Sequence, residues 1–276
     1  MGSYTSETTQ QELENINKAN QTYALELSMA SEGLEELYKL VQAVNPSLSS
    51  SPPADQSVRS VLLLLAYSNL YSLKKCKDLI YAGAVFEADI LMRSILERID
   101  LMQVFHGSRD AELINSFMQT KYLLPADEQQ RSEHFEFEYK KWRNNFSPSK
   151  ISQHLKKLNL TPIFRPELYK YLSLSSHVSS AQLLKTYSTT LQLKESSTAS
   201  QVGQWDMSFS HKPAYRPNHV RGSFGRLCML AATTIWILES EFKISPKRAV
   251  SPIYHAKVEK HFFPSSFKKR QMLNKK

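Results

Sequence analysis

Glycine is scarce in this chain: 7 of 276 residues, about 2.5% where ordinary usage is about 7%. Phosphate-cradling loops, tight β-hairpins and β-sandwich corners all need glycine. The composition therefore argues against a dinucleotide-binding domain, a P-loop enzyme and most all-β folds. Cysteine is scarcer still. Cys76 and Cys228 cannot build a disulfide framework, and they fit a reducing cytosol. No long apolar run is present. Val61–Tyr67 is the longest, far below the roughly 20 residues of a membrane span. The N-terminal residues carry no basic stretch followed by an apolar one, so no signal peptide is read there. The expectation is a soluble, cytoplasmic chain with no membrane partner. What the chain does contain is globular: 41% hydrophobic and 22% charged residues, enough to bury a sizeable core.

Acidic residues are missing from one end. Residues 244–276 hold nine Lys/Arg against the single acid Glu259, a surplus of eight in a chain whose net charge is +9. Tyr254, His255, His261, Phe262, Phe263 and Phe267 are interleaved with them. Basic residues can follow a phosphate backbone while aromatic rings stack on bases. Lys257, Lys260, Lys268, Lys269 and Arg270 are the candidate nucleic-acid contacts, and RNA or DNA is the candidate partner. The plain alternative is a solvated tail anchored by Phe262 and Phe263.

Apolar spacing of three to four residues predicts helix over 10–44, from Val58 to about Ile80, over 82–105, from Asp110 to Leu124 and from Asn218 to about Phe242. Asn45-Pro46 and the Ser/Pro segment 47–57 interrupt the pattern. Residues 167–194 can be helical, although rich in Ser, and 195–217 read as an irregular insertion. No convincing strand is found. The expected fold is all-α: a multi-helix bundle with a central apolar helix (82–105) and a basic C-terminal tail. Its parts are a helical arm over 1–46, a bundle core over 58–243 and the tail over 244–276.

Two polar stripes break this apolar pattern. Asp89, Arg93 and Glu97 stand at i, i+4 and i+8 on the helix 82–105, with Asp100 close by. Charges on so apolar a helix are costly unless paired or functional. Read functionally, Arg93 holds an anion and Glu97 is a base or acceptor. Read structurally, the stripe is ion-paired at a surface or subunit interface. Tyr169, Ser173 and His177 repeat the same spacing. They make a small, titratable face suited to acid–base work, or a histidine packed among hydroxyls. Because buried charges require partners, the two stripes are expected to face each other, with Arg93, Glu97 and His177 as the catalytic candidates and Asp89, Tyr169 and Ser173 beside them.

The residues of these stripes carry a resemblance. Arg93-Ser94-x-x-Glu97 on an apolar helix, then Tyr169-x-x-x-Ser173-x-x-x-His177, is similar to a bacterial family of unknown function. The similarity covers about residues 58–190. It implies an all-helical cytoplasmic protein, bacterial or phage-borne, and no established chemistry.

Other signatures are weak. The helical ribonucleases of the higher eukaryotes and prokaryotes nucleotide-binding class place His after Arg on one helix with four to six residues between them. Here Arg98 and His106 are separated by seven, and Arg131/His134 and Arg216/His219 by two. The eight histidines are scattered without an H-E-x-x-H pair, so no metal is expected, and no cofactor motif is present. Three functions remain open: a nucleic-acid-directed effector, nuclease-like or toxin-like and of a defence type; a non-enzymatic interaction or oligomerisation module; and, with less behind it, a small-ligand sensor that holds an anion on Arg93.

Overall fold

The computed structural model describes residues 4–48, 53–119, 140, 143–160, 172, 188–193, 205–209 and 217–264. It is an all-α bundle of α1 (Tyr4–Thr22), α2 (Ala24–Val44), α3 (Pro53–Ala82), α4 (Val85–Ser108), α5 (Ala111–Gln119), α6 (Pro148–Lys157), α7 (Pro217–Glu241) and α8 (Ser251–Phe262), with one small ribbon of β1 (Ser188–Leu193) and β2 (Trp205–Phe209). No described helix is long and apolar enough to cross a membrane.

The stripe Val58, Val61, Leu62, Leu65, Leu73, Cys76 and Ile80 buries one face of α3. The helix stops where glycine permits a left-handed residue. Gly83 has φ 87°, its N–H reaches Ile80 O at 3.1 Å, and Ala84 N–H reaches Leu79 O at 2.8 Å. The chain then turns into α4, which packs along α3. At the end of α4 five consecutive residues, 101–105, are all buried, and Phe105, Phe117 and Phe146 cluster there, with Phe146 edge-on to the other two rings. α7 is buried nearly all round because it lies among α2, α3, α4 and α8.

Several elements differ from the sequence reading. The helix expected over 10–44 breaks at Tyr23 (φ −125°, ψ 31°). Helical hydrogen bonds persist across the break, to Ala19 O and from Leu27 N–H. It is therefore a kink, and it coincides with Tyr23 packing its ring 6.4 Å from that of Phe224. α2 belongs to the bundle itself: Met29, Leu37 and Val41 are fully buried, and the helix packs on α3 and α7. The expected basic tail begins as a docked helix. Glu239 caps α8 by accepting from Val250 N–H at 2.5 Å and from Ser251, and Tyr254 inserts its ring into the core and donates to Met29 O at 2.9 Å. The ribbon was not expected either. Its strands pair antiparallel with Thr190 opposite Ser208 and Leu191 opposite Met207. The pattern Trp205-Asp-Met-Ser-Phe209 does alternate with period two, and Thr189 and Thr190 are β-branched. Five residues are a short signal, easily lost beside a helical chain.

Candidate functional site

The charged stripe of α4 is two separate devices. Asp89 is 2% exposed, and its carboxylate accepts Arg226 Nη2 from α7 at 2.9 Å. The same Nη2 donates to Ser223 Oγ at 2.6 Å. Asp89 is thus a cross-helix structural anchor, and its partner is an arginine 137 residues away in sequence. Arg93 and Glu97 form a local pair, Nε to Oε1 at 3.1 Å, with the Glu97 side chain 34% exposed. These two remain open enough to meet a ligand.

The asymmetry has a consequence for stability. Arg226→Ala takes the cross-helix cation away from a buried carboxylate and is expected to cost on the order of 3 kcal/mol. Arg93→Ala leaves a glutamate that reaches water, and is expected to cost about 1 kcal/mol. Urea denaturation of the two variants measures the difference. Equal costs would contradict the division of the stripe.

One turn further along, Asp100 and Gln103 carry shielded polar atoms, Oδ1 and Nε2, with no hydrogen-bond partner among the described residues. Burial, and then the charge of Glu97, pushes the Asp100 carboxyl up from 3.8 to about 7. Because the folded value lies above the unfolded one, stability is full below about pH 4 and falls as pH rises towards 7. Asp100→Asn removes that dependence. The variant should match wild type near pH 4 and exceed it at pH 8 by a few kcal/mol, on the order of 2–4. Denaturant midpoints at the two pH values decide it, and a constant difference would refute the assignment.

Tyr169, Ser173 and His177, on which the expected meeting of the two stripes depends, lie outside the described residues. On the side of α4 facing α3, Arg98 donates Nε to Asn69 Oδ1 at 2.7 Å and Nη2 to Ser72 Oγ at 2.8 Å. Asn69 lies 3.4 Å from Thr234 on α7, so one polar network joins three helices. Cys76 and Cys228 are buried, and burial pushes both thiols up to about 12. They are core residues rather than nucleophiles. Among the described residues no three His, Cys, Asp or Glu side chains are grouped to hold a metal ion.

The basic end shows the second candidate surface. Lys260 is exposed and Lys257 pairs with Glu32, while Lys268, Lys269 and Arg270 lie outside the described residues. Glu259, the only acid of the segment, is 5% exposed. Beside this helix is a cleft of about 340 Å³, lined by Arg221, Gly222 and Gly225 of α7 and by His261 to Pro264. Glu26 of α2 sits behind it with its carboxylate 2.9 Å from His261 Nε2 and 3.3 Å from Arg221 Nε. Sequence reasoning missed Glu26, Arg221 and Arg226. Nothing in their local spacing marks them, because their partners lie on other helices. In comparisons with known proteins, no family model matches the chain, and neither a curated protein nor a solved structure is significantly similar to it.

Proposed function

We propose that this protein is directed at nucleic acid, binding the phosphate backbone through its basic C-terminal region. The observation that supports this most is the charge of that region. It holds nearly all the chain's net positive charge, its one acid is buried, and Lys243, Lys247, Arg248 and Lys260 lie at the surface around the docked α8. A surface of this kind attracts polyanions through counterion release. In the catalytic form of the proposal, the Arg93–Glu97 pair meets a phosphate and His177, with Tyr169 and Ser173, supplies the proton transfer.

Anisotropy with labelled single-stranded RNA and DNA tests the binding. Tight binding is expected near 50 mM salt, with log K falling linearly against log salt. Reversing Lys247, Arg248 and Lys260 to Glu should lower affinity at least tenfold and flatten the slope by roughly 0.7 per lost contact on a single strand. No binding at low salt refutes the reading. Degradation by wild type but not by His177→Ala would support catalysis, and equal degradation by both would remove it.

A second reading, an interaction or oligomerisation module, has its own observation. Leu64, Tyr67 and Tyr71 form an exposed row on α3 at i, i+3 and i+7, and Tyr67 Oη lies 3.4 Å from Gln42 on α2. Sedimentation of wild type and Tyr71→Glu distinguishes it. A concentration-dependent dimer lost in the variant would favour this reading.

A further inference from the structure

We propose that the cleft between the first turns of α7 and the end of α8 binds one nucleotide unit, with Arg221 and His261 on its phosphate and Phe263 against its base. The inference deepens the nucleic-acid reading and rests on it for the class of ligand. The volume, about 340 Å³, lies at the small end of ligand sites. Two cation-capable side chains converge on it, and Glu26 holds both from behind. A carboxylate only accepts, so His261 Nε2–H donates to Glu26, and Nδ1 is the ring nitrogen left for a ligand: it donates to a phosphate oxygen when the ring carries both protons and accepts from a protonated phosphate oxygen when it carries one. Arg221 engages Glu26 through Nε, which leaves both terminal Nη groups as a donor pair. The Arg221 side chain is 53% exposed, so those donors are accessible.

The walls suit a base. Phe262 packs on α7 because residue 225 is glycine: a Cβ there would fall 2.9 Å from Phe262 Cδ1. Phe263 follows it, 38% exposed, at the rim of the cleft. An exposed aromatic ring beside phosphate donors is the arrangement that stacks a base without reading its sequence. Gly222 forms open wall. A Cβ there meets nothing nearer than Arg226 Nη1 at 3.5 Å, an ordinary contact. A larger side chain at 222 therefore fills the cleft without displacing the core.

The test uses the full chain, labelled for NMR at histidine, titrated with AMP and separately with inorganic phosphate. AMP is expected to shift the His261 ring signals saturably and to bind at least tenfold tighter than phosphate. Arg221→Gln and Gly222→Leu should each weaken AMP at least tenfold while thermal melting shows both variants folded, and Phe263→Ala should reduce AMP towards the affinity of phosphate. No AMP binding, equal binding of AMP and phosphate, or full binding by folded Gly222→Leu would each overturn the inference. The anisotropy assay separates the two claims. AMP binding without polynucleotide binding leaves the cleft and removes the wider function, whereas polynucleotide binding undisturbed by Gly222→Leu, with no AMP shift, does the reverse.

Discussion

Gly33→Ala is expected to destabilise the protein by roughly 3 kcal/mol or more and to loosen α8 from the bundle. Helix propensity alone predicts the opposite sign, since alanine is favoured over glycine inside a helix by about 1 kcal/mol. The structure reverses the sign because the Tyr254 ring lies directly on Gly33. A Cβ at 33 would fall 2.5 Å from Tyr254 Cζ and 2.9 Å from Cε1, and nearer still to the hydroxyl. Tyr254 is 1% exposed and cannot swing into water without opening the seam between α2, α7 and α8. Its hydroxyl would also lose Met29 O, its acceptor at 2.9 Å. Burial raises that phenol far above its ordinary value, so the hydroxyl stays a donor and needs the acceptor. Tyr254→Phe removes only the hydrogen bond and should cost about 1 kcal/mol. Hydrogen exchange along 251–262 reports the undocking directly. A Gly33→Ala protein as stable as wild type, with α8 equally protected, would contradict this packing.

Glu241→Ala should be the most damaging single change at the end of α7, about 3–5 kcal/mol. The Glu241 side chain is 1% exposed. His106 Nδ1 lies 2.8 Å from its carboxylate, Arg109 Nη1 3.2 Å and Arg59 Nε 3.6 Å. One carboxylate thus ties the start of α3, the end of α4 and the end of α7. Removing it takes the carboxylate from Arg59, whose side chain is 16% exposed, and leaves the more exposed Arg109 to its other carboxylate, Asp55. Thermal melting should show a fall on the order of 10 °C. Glu241→Gln keeps the acceptor and the shape, so it should fall in between. Because the carboxylate is enclosed, moderate salt should change the penalty little. A loss below 1 kcal/mol would mean that the cluster does not hold these ends together.

The sequence was legible where the physics is local. Apolar spacing located α3, α4 and α7 within a few residues of their observed limits, because one helix face must be buried whatever covers it. Whether α3 and α4 were two helices or one long kinked helix was open in the sequence; the structure separates them at Gly83, where glycine takes the left-handed conformation at no cost. The kink at Tyr23 left no such mark, since it coincides with a ring on α7. The short strands offered only five or six residues of alternation, and their pairing joins segments 12 or more residues apart.

By itself the sequence determined the helical class, the placement of nearly all net charge at one end, and the presence of charged residues on an apolar helix. Each follows from residue type and spacing along one segment. Tertiary structure alone decided which charges belong together. Asp89 stands four residues from Arg93 yet pairs with Arg226, and Glu26 gathers His261 and Arg221 from two other helices. The reason is that spacing along a helix selects a face but not its neighbour. A buried carboxylate is stabilised by a cation or by hydrogen-bond donors, and which of them arrive is set by how helices distant in sequence pack.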